Sequence, residues 1–187
     1  MKVLSTYLIV FIPILCLGQF DIYSVDSLAR IQINKYFIEE NSEYVLLYEF
    51  GCLGCEAEDT CYCEFGDTEI FLISDSGKIA KFNCCESKYG IIYFEASELL
   101  NELYTSNQYF VNSFKYDYIE SHNDFHRIEL IRKDTILSIQ IPSFLFNKDY
   151  KYKSYNLLQK PKIFADRIEE LIMKEDIIKW EKEDNNR

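Results

Sequence analysis

The clearest alternation of apolar and polar positions lies at 125–141. Ile128, Leu130, Leu137, Ile139 and Ile141 alternate with Arg127, Glu129, Ser138 and Gln140 across Lys133-Asp134. Successive strand side chains point to opposite faces, so this pattern predicts a hairpin with one buried face. A two-residue turn at Lys133-Asp134 puts Ile128 opposite Ile139 and Leu130 opposite Leu137. Lys-Asp is not a favoured tight-turn pair, so a longer loop is the alternative. A second hairpin is expected from 68–75 and 78–83 around Ser76-Gly77. Its register places Phe71 opposite Phe82 and Ile73 opposite Ala80, all on one face with Cys84. The run Tyr44-Val45-Leu46-Leu47-Tyr48 within 43–50 is apolar on both sides, which predicts a covered, central strand. A further short apolar strand is expected at 90–95.

Helical spacing marks three segments. At 25–40, Ser24 can cap, Asp26 complements the N-terminal dipole, and Leu28, Ile31 and Ile38 fall near one stripe. Ser97 caps a short helix to about 104. Pro161 opens a terminal helix over 162–181, with Phe164, Ile168, Leu171, Ile172 and Ile178 as its stripe. A strand pair is expected at 143–146 and 151–155, and 105–121 is aromatic without a clear period. The order predicts an α+β fold: a mostly antiparallel sheet of hairpins with an N-terminal helix, a short middle helix and a C-terminal helix.

The first residues read differently. Lys2 precedes an apolar run from Leu8 to Leu17, broken only by Pro13, and Gly18 then stands before Gln19. This is the pattern of a secretory signal peptide cleaved between Gly18 and Gln19. The run is shorter than the roughly 20 residues a bilayer crossing needs. Leu15 before Cys16 does not fit a lipoprotein signal, which wants a small residue there. The expected organisation is a signal peptide at 1–18, a single globular α+β domain at 19–183 and a frayed tail at 184–187. The mature protein is expected to be periplasmic or secreted, in a bacterium.

The 187-residue chain has 20 Lys and Arg against 31 Asp and Glu, a net charge of −11. Removing 1–18 takes away Lys2 and Cys16, which leaves a net charge of −12 and six of the seven cysteines. The acidic excess argues against a nucleic-acid backbone or an anionic membrane surface as partner, and leaves a protein partner open. No transmembrane segment is expected in the mature chain.

An even number of cysteines in an exported chain points to disulfides. Cys52, Cys55, Cys61 and Cys63 lie within twelve residues as C-x-x-C and C-x-C, and Cys84-Cys85 are adjacent. Cys52 is expected just beyond the end of the first strand, and the hairpin brings the others to the same sheet end. The leading reading is a set of disulfides among these six that staple the 51–67 loop, with the connectivity open. The alternative is a thiolate site for Zn or Cu, helped by Glu49, Glu56, Glu58, Asp59, Glu64 and Asp67. A third reading comes from resemblance. YVLLYEFGCLGC resembles thioredoxin-like proteins, in which a strand runs into C-x-x-C at a helix start, and IPSFLF with Pro142 is similar to that family's cis-proline strand. The resemblance implies a thiol oxidoreductase with Cys52 as nucleophile, Cys55 as resolving thiol and Pro142 flanking the site.

Glu120, His122, Asp124 and His126 alternate, so an extended chain would set them on one face as a metal or acid–base group. His126 also continues the apolar face of its hairpin, which predicts a core-edge histidine. No G-x-S-x-G, H-E-x-x-H, P-loop or EF-hand pattern is present. The tyrosines of 104–118 and 150–155 are expected to pack in the core and between strands, a recognition surface being the alternative. The sequence thus leads to an exported binding or structural module with a disulfide-stapled loop, no enzymatic chemistry and no cofactor. Zn or Cu binding is the first alternative.

Overall fold

The computed structural model describes residues 25–53, 68–83, 87–92, 101–102, 107–118, 120, 123–174 and 177–181. Among the described residues seven strands form one antiparallel sheet: β1 (Tyr44–Leu53), β2 (Glu69–Ser74), β3 (Lys78–Phe82), β4 (Ser87–Ile92), β5 (Asn123–Arg132), β6 (Ile136–Pro142) and β7 (Ile178–Trp180). Their order across the sheet is β6-β5-β1-β2-β3-β4-β7. Among the described residues the helices with both ends defined are α1 (Val25–Ile38), α2 (Lys153–Asn156) and α3 (Lys160–Met173), with 3₁₀ turns at Asn107–Phe110 and Ser143–Phe146. This is a mixed α+β fold.

Strand alternation divides the core in two. Tyr44, Leu46 and Tyr48 share one face with Phe71, Ile73, Ile79, Ile128, Leu130, Ile139 and Ile141, and α3 covers them with Phe164, Ala165, Ile168, Leu171 and Ile172. Val45 and Leu47 lie on the other face with Ile70, Leu72, Ala80 and Phe82, under Ala29, Ile33 and Tyr36 of α1. The doubly apolar run of β1 is therefore covered on both sides, as its composition requires.

The β5–β6 hairpin has the expected register. Ile128 pairs with Ile139 and Leu130 with Leu137, and the loop is the two-residue one, closed by the Arg132 N–H donating to the Thr135 carbonyl at 2.8 Å.

The β2–β3 hairpin is slipped by one residue from the expectation. Phe71 pairs with Lys81 and Ile73 with Ile79, while Phe82 pairs with Ile70 and Ala80 with Leu72. The loop holds three residues, Asp75, Ser76 and Gly77. The Gly77 N–H donates to the Ser74 carbonyl at 2.9 Å, and Gly77 has φ +79. A glycine in the left-handed region ends a three-residue hairpin loop. The slip exchanges faces, so Phe71 and Phe82 lie on opposite sides of the sheet.

Four further expectations are corrected. In α1 the buried face is Ala29, Gln32, Ile33 and Tyr36, whereas Ile31 and Ile38 are 54% and 81% exposed. The helix ends where Asn41 turns left-handed at φ 54 and the Ser42 N–H reaches back to the Tyr36 carbonyl at 3.0 Å. The segments 143–146 and 151–155 hold a 3₁₀ turn and α2 rather than strands. α3 stops at Met173, and Ile178 belongs to β7 on the β4 edge. The expected fourth strand runs earlier, at Ser87–Ile92. The expected helix at 97–104 is described only at Asn101 and Glu102, which are helical. Ser24, the 1–18 segment with Gly18, Gln19 beyond it and the tail at 184–187 lie outside the described residues.

Candidate functional site

Cys52 lies inside β1, opposite Asp124 of β5, and Leu53 lies opposite Asn123. The expectation that β1 ends before Cys52 is therefore corrected: pairing with β5 carries the strand three residues past Phe50, the last residue of β1 paired with β2. The thioredoxin-like resemblance expects a helix start here. The described backbone is still strand at Cys52 and Leu53. Cys55, Cys61, Cys63, Cys84 and Cys85 lie outside the described residues. The strand ends that flank them do share one end of the sheet. β1 leaves there, β2 begins there with Glu69 opposite Phe50, and Phe82 pairs with Ser87 across the connection that contains Cys84-Cys85.

Of the alternating acid–histidine group, His122 lies outside the described residues. Glu120 accepts from the Tyr118 hydroxyl at 3.4 Å, and its carbonyl accepts from Asn123 Nδ2 at 2.9 Å. His126 turns to the core, where Nδ1 and the Tyr48 hydroxyl share a hydrogen bond of 2.7 Å. The Phe50 and Tyr48 rings lie 5.2 and 5.8 Å from the imidazole. Burial holds His126 below the usual imidazole range, against the opposing pull of Glu169, Asp166 and Asp124. Burial pushes the Tyr48 hydroxyl above the usual phenol range. The pair is a packed core-edge contact. Among the described residues no three His, Cys, Asp or Glu side chains group closely enough to hold a metal ion. No helix among them is long and apolar enough to cross a membrane.

A concave feature among the described residues lies elsewhere. A groove of about 220 Å³ opens beside the end of β6, lined by Asn112, Phe114, Tyr116, Gln140, Pro142, Phe144 and Leu145. Two separate pieces of chain build it, 140–145 and 112–116. Pro142 ends β6, the 3₁₀ turn that follows supplies Phe144 and Leu145, and 112–116 forms the opposite wall. That wall has no regular secondary structure of its own, so other groups must fix it. Buried Asn156 of α2 does so. Its Oδ1 accepts from the Lys115 N–H at 2.9 Å, and its Nδ2 donates to the Lys115 carbonyl at 2.9 Å. The Tyr150 hydroxyl accepts from the Asp117 N–H at 3.3 Å.

Aromatic rings support the lining. Phe114 meets Phe146 edge-on at 6.0 Å, and Phe144 stacks on Tyr118 at 5.6 Å and meets Tyr150 at 5.7 Å. Tyr109 and Tyr150 are buried, as the packing expectation has it, while Tyr116 lines the groove and is 53% exposed. Sequence reading missed the groove because its walls are adjacent only in space, and nothing local marks Asn156 as the clamp. The chain matches no protein-family model, and no curated protein matches it.

Proposed function

We propose that the protein is an exported, non-catalytic binding module. Its ligand site is the groove between 112–116 and the end of β6, and its six mature cysteines form disulfides that staple the loop after β1 to the sheet. The observation that carries the reading is the groove itself: an open, mainly apolar concavity whose one irregular wall is clamped in place by Asn156. A clamped wall keeps the site pre-formed, which lowers the ordering cost of binding. The signal-like N-terminus supports export to the periplasm or beyond. The shared sheet end of β1, β2, β3 and β4 supports the staple.

A thermal-shift series tests the ligand site. Small apolar and aromatic amides that occupy the groove raise the melting temperature of the native protein, because they bind the folded state alone. The rise is lost in Tyr116→Ala, which removes only a half-exposed wall. No rise with any such amide, or an equal rise in the variant, contradicts the reading.

The register of Cys52 opposite Asp124 supports a second reading, a thiolate and carboxylate site for Zn or Cu at the sheet end. Intact mass of the exported protein separates the two. A metal-free mass six hydrogens below the reduced chain, with no alkylation before reduction, supports the staple. Free thiols with a native mass increment of zinc or copper support the metal site.

A further inference from the structure

The two edges of the sheet are built differently. β7 is three residues long and carries exposed Lys179 at its centre, a short and charged edge of the kind that blocks strand addition. β6 is seven residues long, ILSIQIP, with no charged side chain, and Ile136 is 57% exposed. The Arg132–Thr135 hydrogen bond sets the alternation along the β5–β6 ladder. Leu137, Ile139 and Ile141 bond to β5, and the N–H and C=O groups of Ile136, Ser138 and Gln140 point out of the sheet. Pro142 is tolerated in the strand because its missing N–H falls on this outward side. No hydrogen bond ties the outward groups to other described residues. The open row runs directly into the groove at Gln140 and Pro142.

Charge is also unevenly distributed. The segments 107–118 and 132–162, which build this edge and groove, hold eight Lys and Arg against three Asp, and the rest of the chain holds 12 against 28. Lys115 sits over the Tyr155 ring at 4.1 Å, Lys151 over Tyr152 at 4.8 Å and Lys162 over Phe146 at 5.0 Å. Lys162 is also paired with Asp166, so Lys115, next to groove residues Phe114 and Tyr116, and Lys151 are the cations that make this side a basic island on an acidic protein.

Resting on the binding-module reading, we infer that β6 takes an extended acidic polypeptide as an added strand, with one apolar or aromatic side chain of that strand seated in the groove. A polypeptide offers paired N–H and C=O groups every second residue, which is the repeat the β6 edge presents. The lysines set the sign of its charge. The groove takes the side chain that fixes register.

The test uses two synthetic heptapeptides, Glu-Val-Glu-Phe-Glu-Val-Glu and its lysine counterpart Lys-Val-Lys-Phe-Lys-Val-Lys, titrated into the isotope-labelled mature protein. The expected result is that the acidic peptide binds roughly tenfold more tightly than the basic one and weakens with salt. It should also protect the amides of Ile136, Ser138 and Gln140 from hydrogen exchange. Ser138→Pro removes one outward N–H and leaves the backbone ladder to β5 in place, losing besides only the exposed Ser138 hydroxyl bond to Glu129 Oε1, and should abolish binding while the protein still melts cooperatively. Should that variant not fold, the pair Lys115→Glu and Lys151→Glu should weaken the acidic peptide instead.

Equal affinities, no binding of either peptide, or binding with the β6 amides unprotected overturns the inference. Protection of β6 that rises with protein concentration alone overturns it in favour of a second copy of the chain. If amides still shift the Tyr116 and Phe144 signals while the peptides leave β6 untouched, the strand-addition inference fails and the binding-module reading stands.

Discussion

The carboxamide of Asn156 closes both hydrogen bonds on the backbone of Lys115, donating from Nδ2 and accepting at Oδ1, each at 2.9 Å. A side chain thus gives Lys115 the pair of contacts that a neighbouring strand would have given. Asn156 is fully buried, so neither water nor a shifted backbone replaces it cheaply.

Asn156→Ala is therefore expected to destabilise the protein by about 1–3 kcal/mol, since the part-buried Lys115 N–H and carbonyl lose their partner together and a small cavity is left at a fully buried position. Urea unfolding reads the loss. The groove should also loosen: amide exchange at Lys115 and Tyr116 should speed up more than exchange in β2. Uniform acceleration across the sheet would mean that Asn156 is an ordinary core residue rather than a clamp.

Gly90 governs the other edge. A Cβ there would stand 2.7 Å from the Lys179 carbonyl and 3.1 Å from the Trp180 ring, closer than side chains approach backbone. Gly90→Ala should release β7 from β4 at a cost of about 1–3 kcal/mol. Trp180 is the only tryptophan in the chain, so its emission should move to the red and become more easily quenched. Unchanged emission would show that β7 docks without this close contact.

The Tyr48–His126 pair predicts a pH dependence of stability. Burial holds His126 below the usual imidazole range, while the unfolded chain takes up the proton near pH 6.5 (about the free value). The unfolded state binds more protons between those two points. The contribution is therefore full above about pH 6.5 and is lost as pH falls toward the folded-state value. His126→Gln keeps an acceptor for Tyr48 and never titrates. Denaturant midpoints from pH 5 to 8 should show the native protein losing stability relative to this variant as the solution becomes more acidic. Parallel curves would contradict the assignment.

How much of this was legible in sequence differs element by element. The β5–β6 register could be read because five apolar residues alternate with four polar ones, and a slip would have inverted both sets. The β2–β3 register could not, because Phe71, Leu72, Ile73, Ile79, Ala80 and Phe82 are apolar on either face. There the turn decides, and Gly77 needs three loop residues to reach φ +79. The buried face of α1 is not legible because it combines small Ala29 and polar Gln32 with Ile33 and Tyr36, while apolar Ile31 and Ile38 face out. The end of α3 is not legible because Ile178 continues the helical spacing, while Gly90 across the sheet edge supplies the room for β7. The groove depends on 112–116, 142–145 and Asn156 meeting in space, which no local pattern announces. The lysine island was visible in the sequence between 132 and 162, hidden only by the net charge of the whole chain.

The most direct measurement of the central claim is a titration of N-acetyl-phenylalaninamide into the labelled, oxidised mature protein, followed through side-chain and amide signals. The account predicts shifts concentrated at Phe114, Tyr116, Gln140 and Phe144, silence at β7, and a clear loss of affinity in Tyr116→Ala. Shifts scattered over the surface, or none as the fragment approaches its solubility limit, would contradict a pre-formed binding groove at the end of β6.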